Sequence, residues 1–283
     1  MTEDRGTLGV VGFGSMAEAI VKAALNAGEF SRGGVYIFDP AAERRELAGS
    51  MGLNVFTSET GVWESAEIIL LAVKPQNIDE VVEKCKGINI IGKCIVSILA
   101  GVSAKYLREK FCGCHVVQVM PNTPILCGQG AAAMTYSGDI PERYRDKAMR
   151  MFSSAGLVKL LPEDKMNEVV SINGSSPAYF FTLIKAMAEY GVSAGIDYGT
   201  ALLLAAQSMK GAAEMLLTLS DAAATAAGGE AAGGRSPAQL IAQVTSKGGT
   251  TFAALEAMEQ AGFSESVRLG MEACTKRARE IGR

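Results

Sequence analysis

The residues best suited to chemistry lie in short stretches spread over the whole chain. Late in the sequence, "VTSKGGTT" (Val244 to Thr251) sets Ser246, Thr250 and Thr251 around Gly248 and Gly249, directly before the amphipathic run "FAALEAMEQAGF". Hydroxyls, two glycines and a helix start with unpaired N–H groups make a seat for a carboxylate. The same residues also make an ordinary loop and N-cap, so local composition leaves both readings open. Near the start, "GVVGFGSMA" places Gly12-x-Gly14-x-x-Ala17 between an apolar run and a helical one. Gly12 suits the tight turn, Gly14 the close approach of a pyrophosphate, and Ala17 close helix packing; Phe13, Ser15 and Met16 complete the turn. This pattern in a strand–helix–strand setting fits a dinucleotide.

Further candidates follow the same logic. Asp39 ends a second apolar run, 22 residues after Ala17, where a carboxylate binds ribose hydroxyls and repels the extra phosphate of NADPH. "DP" is equally a turn in which Asp39 caps the next helix, and Arg44 and Arg45 follow closely enough to hold a phosphate. On these residues the preference leans to NADH. In "LLAVKPQ", Ala72, Val73, Lys74 and Pro75 close another strand, at the end where open α/β sheets bind ligands. "MPNTP" repeats that position with Asn122 and Thr123, and "NGSSPAY" offers Ser175 and Ser176 or simply a helix break.

His115 is the only histidine, and it opens the strand-like run "HVVQVM". A Ser-His-Asp or Cys-His mechanism would have to use it, so hydrolase readings fall behind. "CGCH" (Cys112 to His115) lacks the usual C-x-x-C spacing and a second ligand pair; buried thiols are expected there, and no metal site.

The elements that must hold these residues show in the pattern of the 283-residue chain. Up to about residue 160, β-rich runs alternate with helical ones, which predicts a parallel, doubly wound Rossmann-like sheet. From Pro162 onward helical patterns take over, with Ser176-Pro177 and Ser236-Pro237 as helix starts. The predicted domains are therefore 1–162, binding the dinucleotide, and 163–283, all α. The helical half carries more apolar surface than five helices hide alone; burial against the first domain is one explanation, and a self-paired homodimer is the one expected. Ser220 to Arg235, rich in Ala and Gly, reads as a loop with helical turns at its start. A net charge of −3 and dispersed basic residues exclude a nucleic-acid footprint. No apolar run reaches the roughly 18 residues of a membrane span, no signal-peptide pattern opens the chain, and the cysteines suit a reducing compartment, so a cytoplasmic protein is expected.

Taken together, "GVVGFGSMA", "AVKPQ", "MPNTP", "NGSSPAYFF" and above all "VTSKGGTT" resemble pyrroline-5-carboxylate reductase, in order and over nearly the whole chain. The resemblance implies reduction of the cyclic imine 1-pyrroline-5-carboxylate to L-proline by NADPH or NADH, the last step of proline biosynthesis. It also implies a Rossmann domain, a helical domain that dimerises, in many members a larger ring of dimers, and an active site between domains to which the dimer mate contributes. By the same resemblance Thr251 is the residue placed to hydrogen-bond the ring nitrogen, with Ser246, Gly248, Gly249 and Thr250 around the carboxylate. Departures are Lys247 where the family often has proline, Gln118 where an arginine commonly stands, a longer loop at 220–235, and acids at Asp39 and Glu59. A β-hydroxyacid dehydrogenase shares the plan but needs a lysine where this chain has Phe180, six residues after Gly174. A non-catalytic dinucleotide-binding regulator would be expected to carry a damaged "SKGGTT", which is intact here.

Overall fold

The computed structural model describes residues 6–224 and 236–282. The chain forms two compact units, Met1–Pro177 with Met271–Arg283, and Ala178–Gly270.

The first unit is built on strands and helices in alternation: β1 (Leu8–Val11), α1 (Ser15–Asn26), β2 (Val35–Phe38), α2 (Ala42–Ser50), β3 (Asn54–Val55), α3 (Glu59–Ser65), β4 (Ile68–Leu71), α4 (Ile78–Lys84), β5 (Cys94–Ser97), α5 (Ala104–Lys110) and β6 (His115–Met120). Two strands not foreseen from the sequence follow, β7 (Gly130–Tyr136) and β8 (Gly156–Leu160), with α6 (Glu142–Ser153) between them. Among the described residues one sheet of eight strands forms, in the order β3-β2-β1-β4-β5-β6-β7-β8. The expected all-parallel sheet is corrected at one place: β7 runs antiparallel to β6, while β8 returns parallel to β7.

Strand register sets the working edge. Val11 lies opposite both Phe38 and Leu71, so β1, β2 and β4 end level. After β3 the chain crosses back to the other side of β1, and such a switch point opens a crevice at the carboxyl ends of the strands. Both faces of the sheet are apolar, as alternation along buried parallel strands requires. Leu8, Val10, Leu70, Val96 and Val117 pack with Ile20, Val21 and Phe152 on one face. Val11, Ile69, Leu71, Ile95 and Val116 pack with Ile78, Trp63 and Phe111 on the other. Each such side chain contributes roughly 1.5–3 kcal/mol on burial, which makes the strand ends a rigid platform.

The helices of the later chain are α7 (Ser176–Ser193), α8 (Tyr198–Ala224), α9 (Pro237–Val244), α10 (Thr250–Gln260) and α11 (Phe263–Ile281). α7 starts at Ser176 itself, because the π-helical turn Val170–Gly174 already winds the chain ahead of it. α9 starts as its sequence predicts: Ser236 Oγ accepts from Gln239 N–H, and the Gln239 side chain accepts from Ser236 N–H, a reciprocal cap. α7 and α8 approach closely, since a Cβ on Gly191 would fall 2.6 Å from that of Ala201. Within the second unit Phe181, Leu203 and Leu204 remain 62–71% exposed. Of the segment Ser220 to Arg235, the first residues continue α8 through Ala224, while residues 225–235 lie outside the described residues. No helix among the described residues is long and apolar enough to cross a membrane.

Candidate functional site

The glycine-rich turn after β1 is held from three sides. Gly12 has φ +90, and a Cβ there would lie 2.7 Å from the Ala72 carbonyl oxygen, so only glycine fits against the "AVKPQ" turn. Gly12 N–H donates to Phe38 O at 2.9 Å and Ala72 N–H to Val11 O at 2.9 Å, which fastens both turns to the sheet. Gly14 is the N-cap of α1 with open space where its Cβ would be. The N–H groups of Gly14, Ser15, Met16 and Ala17 find no acceptor among the described residues. Open donors at a helix start, with room for an approaching anion, are what a pyrophosphate requires. The Phe13 side chain is fully buried in the core, which leaves only its main chain at the turn.

Asp39 is more deeply engaged than a turn residue. Its Oδ2 accepts from Phe13 N–H at 2.6 Å and its Oδ1 from Ala41 N–H at 2.9 Å, so the carboxylate bridges the glycine-rich turn and the β2–α2 turn. It does not cap α2, whose N-cap residue is Ala41. Arg44 and Arg45 already have partners here. Arg44 Nε donates to Phe13 O at 2.6 Å and its Nη2 to Glu18 Oε2 at 2.8 Å, while Arg45 Nη1 donates to the carbonyls of Asp39 and Pro40. Lys22 also bonds Glu18, and these cations hold the Glu18 carboxyl below its usual range, Lys22 contributing most.

Along the same edge, Ala72, Val73 and Pro75 are half-buried and Lys74 is exposed. Asn122 is buried, with its Oδ1 accepting from Ala131 N–H at 2.8 Å, whereas Thr123 is exposed at the start of the turn Thr123–Cys127. One residue that the sequence did not single out ties this loop down. Asn173 donates both amide hydrogens, to Met120 O at 2.7 Å and Ala131 O at 2.9 Å, joining "NGSSPAY" to "MPNTP". Its only sequence signal was an Asn-Gly pair, which usually marks a plain turn. Ser176 is buried and bonds Asn173 O, and Ser175 Oγ accepts from the Cys274 thiol at 3.2 Å. Gln118, at the family's arginine position, accepts from Ala104 N–H at the start of α5, whose N-cap is Ser103.

In the second unit, Ser246 to Gly249 is a β-turn closed by Gly249 N–H donating to Ser246 O at 2.9 Å, with Gly248 at φ +75. Gly249 is then the N-cap of α10, Thr250 its first residue and Thr251 its second. The N–H groups of Thr250, Thr251 and Phe252, and the hydroxyls of Ser246, Thr250 and Thr251, make no hydrogen bond with described residues. Ser246, Lys247 and Thr250 are exposed and Thr251 is half-buried. Six donors therefore converge on one helix start, a set suited to a small carboxylate beside a second polar atom.

The expectation of buried thiols in "CGCH" is corrected: Cys112 is exposed and Cys114 half-buried, its thiol pushed up to about 11 by burial. His115 packs its ring 5.8 Å from that of Tyr144.

Residues 163–281 match the family model for pyrroline-5-carboxylate reductase dimerisation, and residues 7–101 match that for coenzyme F420-dependent NADP oxidoreductases. Pyrroline-5-carboxylate reductase of Pisum sativum is 34% identical over 278 residues, 98% of this chain and 97% of its own. The chain belongs to the pyrroline-5-carboxylate reductase family. Its Haemophilus influenzae relative in that family is 35% identical, over 96% of each chain. Two solved structures are similar throughout: a Plasmodium falciparum pyrroline carboxylate reductase with NADP bound (TM-score 0.82, 25% identity, 98% of each chain) and a pyrroline-5-carboxylate reductase of Coxiella burnetii (TM-score 0.85, 25% identity, 99% of each). As in the family, a Rossmann-like sheet precedes a helical region that matches the dimerisation model.

Proposed function

We infer that the chain reduces 1-pyrroline-5-carboxylate to L-proline with NAD(P)H, as the last step of proline biosynthesis. The observation that carries this reading is similarity to pyrroline-5-carboxylate reductases over 96–98% of the chain. The open N–H groups from Gly14 to Ala17 fit the pyrophosphate, and Ala72 to Pro75, Asn122 and Thr123 border the rest of the dinucleotide. When bound, NAD(P)H supplies the hydride, which leaves the protein to orient substrate, polarise it and exclude water.

The start of α10 takes the substrate carboxylate on the N–H groups of Thr250 and Thr251, with Ser246 and Thr250 hydroxyls beside it. Thr251 Oγ1 bonds the imine nitrogen, fixes its orientation and passes a proton to it from water as the C=N bond is reduced. No metal or histidine is needed for this. Ser175, directly after the π-helical turn, and Ser176, the first residue of α7, are the further substrate candidates. Asp39 favours NADH, because its carboxylate stands at the end of β2 where a 2′-phosphate would meet negative charge. The homo-oligomer is built from dimers, and the six free cysteines suit the cytoplasm.

The test is pyrroline-dependent oxidation of NADH and of NADPH by the purified chain, followed by the loss of nicotinamide absorbance. Turnover with either cofactor, faster with NADH, is the expected result. Absence of turnover with both overturns the reading.

A further inference from the structure

Glu18 poses an electrostatic problem for the dinucleotide-binding edge. It lies in the first turn of α1, the helix whose open N–H groups are suited to an anion, and its own negative charge opposes one. Arg44 answers this from α2. Its Nη2 meets Glu18 Oε2 at 2.8 Å, its Nε meets Phe13 O at 2.6 Å, and its guanidinium carbon lies 5.7 Å from the Phe13 ring centroid. The Phe13–Gly14 peptide is planar and trans, so a carbonyl held on Arg44 turns Gly14 N–H to the opposite side. Asp39 holds the preceding peptide through Phe13 N–H. Residue 13 is thus fixed on both sides, and the charge beside it is countered by the same guanidinium together with Lys22, which meets Glu18 Oε1 at 2.6 Å.

We propose that Arg44 is a positioning residue for dinucleotide binding: it aims the Gly14 N–H by holding the Phe13 carbonyl, and it screens the pyrophosphate from Glu18. The proposal rests on the dinucleotide reading above, and it concerns a part common to NADH and NADPH. A direct salt link from Arg44 to a 2′-phosphate is the rival role. Two of its nitrogens already bond Phe13 O and Glu18, which favours positioning.

The test is fluorescence titration of NADH and NADPH, with steady-state kinetics, for wild type, Arg44→Ala, Arg44→Lys and the double variant Arg44→Ala with Glu18→Gln. Arg44→Ala should raise Kd and KM for both cofactors about tenfold with kcat little changed, the order of one charge-assisted hydrogen bond. Arg44→Lys should recover part of the loss. Adding Glu18→Gln to Arg44→Ala should also recover part of it, because the charge that Lys22 was left to counter alone is gone; a purely structural arginine would give no such rescue. Unchanged Kd in Arg44→Ala overturns the proposal, as does a rise confined to NADPH. If Arg44→Ala does not fold, Arg44→Lys decides: a rise of about threefold for both cofactors supports positioning, and wild-type affinity overturns it. Failure of the wild type to bind either dinucleotide would instead remove the functional reading, and the proposal with it.

Discussion

Thr251 and Asp39 carry the most specific predictions at the level of single residues. Thr251→Ala should lower kcat/KM by roughly one to two decades, the order of one hydrogen bond lost to a reacting group, while circular dichroism stays unchanged. A folded Thr251→Ala variant with wild-type kinetics would remove its role. For Asp39→Ser, the ratio of kcat/KM for NADPH to that for NADH should rise. Both values should also fall, because the variant loses acceptors for Phe13 and Ala41 N–H. That second effect was not legible in the sequence. The spacing of Asp39 from Ala17 pointed to the ribose, but the partner 26 residues away appears only once β1 and β2 lie side by side. Glu59 makes a different prediction. It is buried, its Oε2 has no partner among the described residues, and burial raises its carboxyl above the usual value against the weaker pull of Lys84. A raised value means the folded state binds more protons, so stability falls as pH climbs through that window and the ionised form is penalised above it. Glu59→Gln should therefore melt higher than wild type near neutral pH, with the gap closing as pH falls toward the carboxylate range.

Among the elements, the strands that were legible are those buried on both faces. β1, β2, β4, β5 and β6 are rich in Val, Ile and Leu, and the first four are each followed by a helical pattern. β7 was missed because "GAAAMTY" has almost no β-branched content, and it becomes a strand by pairing with Met120 and its neighbours. β8 was missed because "GLVKL" is a largely exposed edge strand. The glycine turn was readable for the opposite reason, since a glycine required by backbone shape leaves its mark in the sequence itself. Gly12→Ala tests that requirement. With φ +90 and a backbone oxygen 2.7 Å from the new Cβ, the variant should lose roughly 1–3 kcal/mol of stability and most of its dinucleotide affinity, as measured by denaturant melts and cofactor titration. "SKGGTT" could not be told from an ordinary cap by its residues alone, and physically it is one. Its distinction lies in the backbone and hydroxyl donors at the start of α10 that have no partner among the described residues.

For the whole molecule, the apolar excess of the helical half was visible in composition, and Phe181, Leu203 and Leu204 are exposed there, the apolar surface on which the proposed second copy would pack. Leu204→Glu should shift the oligomer toward monomers in size-exclusion chromatography with light scattering, and reduce turnover in proportion. The path of the chain has a further consequence. Residues up to Pro177 and from Met271 onward build one unit, and Cys274 meets Ser175 where the chain leaves and returns. Thr275 bonds Ser171 and Arg279 pairs with Glu168 nearby, so the segment from Met271 onward is a structural part of the first unit. The helical unit is, in effect, a guest inserted into a host and tethered at both ends. A fragment cut at residue 162 would take away Asn173 and strand the carbonyls of Met120 and Ala131. A host carrying both its segments, rejoined by a short flexible bridge, should keep those contacts.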